Sequence, residues 1–147
     1  MKQDYYEKIR RINGLSNDMN MAYHQAAWKL GVSDSVLCVL YVIYEKGNHC
    51  LLQDICNESG IRKQTINSAI RKLESEEILY LEKDKGKNKR VCLTEKGQQY
   101  VLQTAARLYE AECNVFNEWE EEEFETYLRL MKKYNDSFRQ QIEKWED

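Results

Sequence analysis

Apolar residues recur every three or four positions from 5 to 30, at Tyr5, Ile9, Ile12, Leu15, Met19, Tyr23, Ala26 and Leu30. That spacing predicts one stripe along a long amphipathic helix. Gly31 ends it, and Ser33 and Asp34 offer N-cap chemistry to the next segment. Residues 36–44 are apolar without a break; a capping Ser before them and Gly47 after them predict a helix, and one apolar on all sides is central. Leu52, Ile55 and Cys56 mark one face of a short helix over 51–59, Gly60 falls at a turn, and Ile66, Ala69, Ile70 and Leu73 give the inner face of a second helix from 62 to about 76. From 78 to 83 the rhythm changes to alternation, and 91–93 return after a polar loop, which predicts a β-hairpin. Thr94 and Glu95 suit the start of a third long helix carrying Val101, Ala105, Leu108 and Val115. Residues 117–125 hold six acids in nine positions, a helix-to-helix corner with acids where a new helix begins. The last helix is striped by Phe124, Leu128, Met131, Tyr134, Phe138, Ile142 and Trp145.

Composition reinforces this picture. The chain has 147 residues, no proline and six glycines, so it forms one domain of ordinary size with few breaks in its helices. The amino terminus is charged, without the apolar stretch of a secretory signal, and the nine-residue apolar run is far short of the ~20 residues of a membrane span. The expected location is the cytoplasm, with no membrane partner. There five cysteines, at 38, 50, 56, 92 and 113, are reduced and chiefly structural, with Cys38 and Cys113 buried by pattern.

Charge adds the first functional signal. Residues 61–90 carry nine Lys/Arg against five Asp/Glu, a local excess of four positive charges in a chain of net charge −3. A basic patch on an acidic protein is the electrostatic footprint of a nucleic-acid binder. The outer face of the second helix of the pair offers Arg62, Lys63, Gln64, Thr65, Asn67, Ser68, Arg71 and Lys72. Arg and Lys suit guanine or phosphate, and Asn and Gln suit adenine. The hairpin tip adds Lys85, Lys87, Lys89 and Arg90, where a cationic arm gains from counterion release and from the potential of a minor groove. These twelve are the candidate DNA-binding residues; the bland reading of them is a solvated helix face and hairpin tip.

Other chemistry is thin. There is no nucleophile–base pair, no glycine-rich phosphate loop, and the two histidines, His24 and His49, have no cysteine at ligand spacing. No catalytic residue, metal site or cofactor is expected, and the chain is not expected to be an enzyme.

The order of elements resembles the MarR family of winged helix-turn-helix transcription regulators over essentially the whole chain. The residues that carry the resemblance are Leu93-Thr94-Glu95-Lys96-Gly97 after the wing, the helix around 65–74, and Ser33 to Leu37 and Asp54 to Cys56 where the family places its second and third helices. It implies a mainly α fold with a small β-hairpin wing: a single domain over 1–147 with a winged-helix lobe at 33–97 and dimerisation helices at 1–30 and 98–147. It further implies a homodimer on a pseudo-palindromic double-stranded operator, acting as a ligand-responsive repressor. Family members often sense aromatic acids, and Tyr23, His24, Trp28, Tyr41 and Tyr44 are the candidate pocket for a small aromatic effector; ordinary core packing is the competing reading of the same five. Two departures stand out. The family's Asp-x-Arg pair in the wing is replaced by Asp84-Lys85-Gly86-Lys87, which leaves Lys87, Lys89 or Arg90 to enter the minor groove, and Glu77 stands where the recognition helix usually ends in glycine. The alternative from another class is a winged-helix dimer that acts as a protein-interaction module without DNA affinity.

Overall fold

The computed structural model describes residues 2–146. They form two compact units, one up to Tyr109 and one from Glu110 onward. The first contains α1 (Lys2–Leu30), α2 (Asp34–Glu45), β1 (His49–Leu51), α3 (Leu52–Ser59), α4 (Lys63–Ser75), β2 (Leu79–Lys83), β3 (Lys89–Leu93), α5 (Glu95–Gln103) and the start of α6 (Ala105–Phe116). The second holds the rest of α6 and α7 (Glu121–Ile142). No single helix among the described residues is long and apolar enough to cross a membrane.

The all-round apolar segment is central, as its pattern requires. Ser33 caps α2 by accepting from the Val36 amide at 3.2 Å, and Val36, Leu37, Val39, Leu40, Val42 and Ile43 are all buried. Burial of side chains such as Leu40 and Ile43, both at 0% exposure, contributes roughly 1.5–3 kcal/mol each. Ile55 of α3, the Ile66–Ala69–Ile70–Leu73 face of α4, and Val91 and Leu93 of β3 close the same core.

Strand β1 is the first difference from the sequence expectation. It pairs antiparallel with β3, and β3 with β2, so the wing hairpin belongs to a three-stranded sheet of order β1-β3-β2. Three residues of one strand are too short to show alternation, and β1 exists because β3 offers it a partner. The second difference is a break in the expected long helix over 95–116. The Thr104 hydroxyl donates to the Tyr100 carbonyl at 2.8 Å, where it competes with the helical ladder, and α5 ends there. The break shifts the phase of the stripe: Val101 and Ala105 are buried, whereas Val115 is 55% exposed. Cys113, expected to be buried, is exposed, and Cys38 is half-buried.

Three helices of the first unit end in the same Schellman motif. After α1 the Val32 amide donates to the Ala27 carbonyl, after α2 Asn48 to Ile43, and after α4 Ile78 to Leu73. The left-handed residue is Gly31 (φ +72°) in the first and Gly47 (φ +84°) in the second, but Glu77 (φ +60°) in the third. A side chain in that region costs about 1–2 kcal/mol. Glu77→Gly is therefore expected to stabilise the protein by about 1 kcal/mol, net of the extra unfolded-state entropy of glycine, read as a higher midpoint in urea or thermal unfolding. An unchanged or lower midpoint would show that the Glu77 side chain earns its place by a contact.

In the second unit an aromatic cluster sets the corner between α6 and α7. Phe116 meets Trp119 and Phe124 edge-on at 5.0 and 4.9 Å, and Trp119 meets Tyr127 at 5.4 Å. Glu121, Glu122 and Glu123 fill the first turn of α7, where the helix dipole favours acids. No residue of α7 is buried.

Candidate nucleic-acid interface

Helices α3 and α4, joined through Gly60, form the helix-turn-helix, and the inner face of α4 locks it to α2 and the sheet. That leaves the opposite face of α4 in solvent. Arg62, Lys63, Gln64, Thr65, Ser68, Arg71 and Lys72 are exposed and Asn67 is half-buried. The Ser68 hydroxyl donates to the Gln64 carbonyl at 3.1 Å, and Arg71 Nε reaches the Asn67 carbonyl at 3.4 Å, so both side chains lie along the helix with further donors and lone pairs free.

The hairpin carries its own cations to the same place. Its loop is closed by the Asp84 amide donating to the Asn88 carbonyl at 2.9 Å. Lys63, Asn67 and Arg71 of α4 and Lys87, Asn88 and Lys89 of the wing line one hollow of about 760 Å³. Lys63, Arg71, Lys87 and Lys89 take part in no ion pair among the described residues. Lys83 and Lys89 are opposite one another in the β2–β3 ladder, an unfavourable like-charge pair. Concentrated, unneutralised positive charge in a concave site is suited to a polyanion.

Polar contributors to this hollow that the sequence reading did not name as site residues are Asn88 of the wing and Gln53 and Asn57 of α3. Gln53 and Asn57 stand four residues apart on the helix face opposite Ile55, a polar pair at helical spacing that could have signalled them.

Arg90 differs from the other candidate cations. It lies at the base of the wing, where one terminal nitrogen is 3.0 Å from His49 Nδ1 and the other 3.8 Å from Asp84 Oδ2.

The five candidate effector residues do not gather at one point in the same way. His24 and Trp28 line an open hollow on α1 with Met21 and Gln25, and the His24 ring lies 2.8 Å from the Asp34 carboxylate at the start of α2. Tyr41 and Tyr44 of α2 instead meet Tyr109, at 6.3 and 5.8 Å between ring centres. Tyr23 is exposed on α1. The thiols in the core are poor nucleophiles: burial, helped by Asp54 and Glu58, pushes Cys50 up to about 11. Burial and then Glu45 raise Cys38, and burial and then Glu82 raise Cys92.

Comparison with known proteins agrees with this architecture. A sequence profile of the MarR family matches residues 30–89. No curated protein matches the chain. Among solved structures, a MarR-family regulator from Neisseria meningitidis superimposes with a TM-score of 0.82 at 14% identity, over 92% of this chain and 96% of that one. MepR of S. aureus, solved in complex with DNA, gives a TM-score of 0.69 at 20% identity over 86% and 93%. BpsR of Bordetella bronchiseptica, whose DNA binding is regulated by 6-hydroxynicotinic acid, gives 0.64 at 17% identity over 85% and 98%.

Proposed function

We propose, from the match of residues 30–89 to a profile of the MarR family, that the chain is a winged-helix regulator of that family that binds double-stranded DNA sequence-specifically. It acts in the cytoplasm as a homodimer, a repressor on a pseudo-palindromic operator. The observation that carries the reading is the convergence of unpaired cations from α4 and from the wing on one hollow. Helix α4 enters the major groove, where Gln64, Thr65, Asn67, Ser68 and Arg71 reach base edges. Arg62, Lys63 and Lys72 flank them against phosphate, and Lys85, Lys87 and Lys89 run along the minor groove. A small aromatic anion at the tyrosines of α2 or beside His24 and Trp28 releases the operator by favouring a spacing of the two recognition helices that DNA does not fit.

The test is titration of the protein against duplex from upstream of its own gene and against random duplex, at two salt concentrations. With six or more phosphate contacts, affinity falls at least about 10³-fold between roughly 50 and 200 mM salt. Arg71→Ala weakens binding to the upstream duplex by about 1–3 kcal/mol and binding to random duplex far less. Equal losses on both would reduce Arg71 to a phosphate contact. Absence of binding to any duplex, or binding indifferent to salt, would instead favour a protein-interaction module built on the same fold.

A further inference from the structure

We propose that Arg90 is a positioning residue that anchors the wing to the sheet through Asp84 and a neutral His49, and that protonation of His49 releases this anchor and weakens the wing's hold on DNA. The proposal rests on the DNA-binding reading for its consequence, though not for its geometry.

Arg90 lies on β3, directly opposite Leu51 of β1 and Glu82 of β2. From there its guanidinium spans two other parts of the lobe: His49 Nδ1 on β1 at 3.0 Å and the Asp84 carboxylate, where the loop leaves β2, at 3.8 Å. The Arg90 and Asp84 side chains are each about one-third exposed, at 33% and 32%, so the pair is partly shielded from water. The wing is thereby tied by side chains to β1, in addition to the β1–β3 ladder that sets Leu51 opposite Arg90. Lys87 and Lys89 lack such ties and line the hollow beside α4. A guanidinium so placed is held back from a groove, whereas Lys87 is free to enter one.

The His49 contact has only one chemically allowed form. Arginine donates and never accepts, and it does not lose its proton. Nδ1 must therefore carry its lone pair, which makes His49 neutral with its proton on Nε2. Protonation places an N–H where that lone pair was and sets two cations 3.0 Å apart. The groups facing this contact are Cys92 and Arg90 of β3, Tyr80 and Glu82 of β2, and Asp84 of the loop; Lys46 of the α2 end and Asp54 and Glu58 of α3 surround the neighbouring Cys50. Glu82 and Asp84 attract an imidazolium, but neither removes the loss of the Arg90 bond. Once that bond is lost, the Arg90 side chain is left with Asp84 alone, and the side-chain tie that β1 adds to its ladder with β3 is gone.

The experiment has one arm without DNA and one with it. In the first, ¹⁵N relaxation of the amides of residues 85–88 is compared at about pH 8 and about pH 5.5. The wild-type wing is ordered at the higher pH and mobile at the lower. His49→Gln, whose amide oxygen accepts without titrating, stays ordered at both, and Arg90→Ala is mobile at both while its circular dichroism matches wild type. In the second arm, affinity for the upstream duplex is followed against salt. Lys87→Ala loses about one unit of salt slope; Arg90→Ala loses about 10-fold in affinity with less than half that change in slope. The anchor is overturned if Arg90→Ala leaves the wing as ordered as wild type at pH 8, if His49→Gln keeps the wild-type pH step, or if Arg90→Ala and Lys87→Ala shift the slope alike. If no duplex binds, the regulator reading falls and the relaxation arm still decides whether Arg90 is the anchor. If Arg90→Ala fails to fold, the pH step of His49→Gln against wild type settles the question.

Discussion

Gly97→Ala is expected to cost about 3 kcal/mol or more of stability and to leave little folded protein at 37 °C. A Cβ at this position would lie 1.8 Å from the Ile78 carbonyl oxygen and 2.9 Å from its carbon. The obstacle is backbone, which cannot turn aside as a flexible side chain would. Moreover, that carbonyl is already in use: it accepts from the Thr94 amide at 3.0 Å and lies 3.1 Å from the Thr94 hydroxyl. The same hydroxyl accepts from the Gly97 amide at 2.9 Å as the N-cap of α5 and donates to the Glu77 backbone carbonyl at 2.6 Å. Room for a methyl group is made only by lifting α5 from the end of α4. That adds loss of a cap, typically about 1 kcal/mol, to the 1–3 kcal/mol of ordinary overpacking. Urea unfolding followed by circular dichroism measures the sum. A variant within 1 kcal/mol of wild type would show that α5 can shift at little cost and that the close approach is not what holds the wing sheet to the helices.

The second large effect concerns assembly. Leu128→Glu combined with Met131→Glu is expected to give monomers and to weaken binding to the upstream duplex by 100-fold or more. On α7, Leu128, Met131, Tyr134 and Phe138 are all exposed, with Tyr134 and Phe138 stacked at 5.8 Å. On α1, Tyr5, Ile9, Ile12, Leu15, Met19 and Tyr23 are exposed as well. Two such stripes exceed what a monomer normally leaves in water, and in the proposed homodimer a second copy is the occupant expected to cover them. Two lobes linked through one dimer bind two half-sites at an effective concentration in the millimolar range, worth 10²–10⁴ in affinity that a monomer forfeits. Sedimentation and duplex titration read the two halves separately. A dimer that survives the two charges would move the interface off α7, and a monomer with full affinity would mean that a single lobe is enough.

How much of this was visible in the chain alone depends on the range of the interaction. The stripe of α1, the central α2 and the two faces of α4 are periodic within one element, so the helices and the cationic face were legible. So was the position of the corner before α7, because a run of acids marks where a new helix begins, though not the aromatic cluster that sets it. Strand β1 was not, since three residues become a strand only when β3 lies beside them. The break at Thr104 depends on one hydroxyl choosing a carbonyl over water, which periodicity does not register. Glu77 was visible as a departure, and its backbone now shows how it is accommodated: it adopts the left-handed conformation itself. Among the site residues, Lys63, Asn67, Arg71, Lys87 and Lys89 were found by type and spacing and share one hollow. The ties of Arg90 were hidden because His49 is 41 residues away in sequence. Of the five proposed effector residues, His24 and Trp28 share one hollow, Tyr41 and Tyr44 pack on Tyr109, and Tyr23 lies exposed on α1, because α1 and α2 present them in different surroundings.

The opposed lysines Lys83 and Lys89 have a consequence for how the wing is studied. Their repulsion is part of the folded state, and any anion that settles between them relieves it. On the proposed DNA-binding reading, sulfate or phosphate in a buffer is therefore expected to act in two opposite senses: it steadies the hairpin and it competes for the charge that a DNA backbone would meet. Conditions chosen to maximise thermal stability are for this reason the conditions that understate affinity, and the two quantities are comparable only when measured in the same salt.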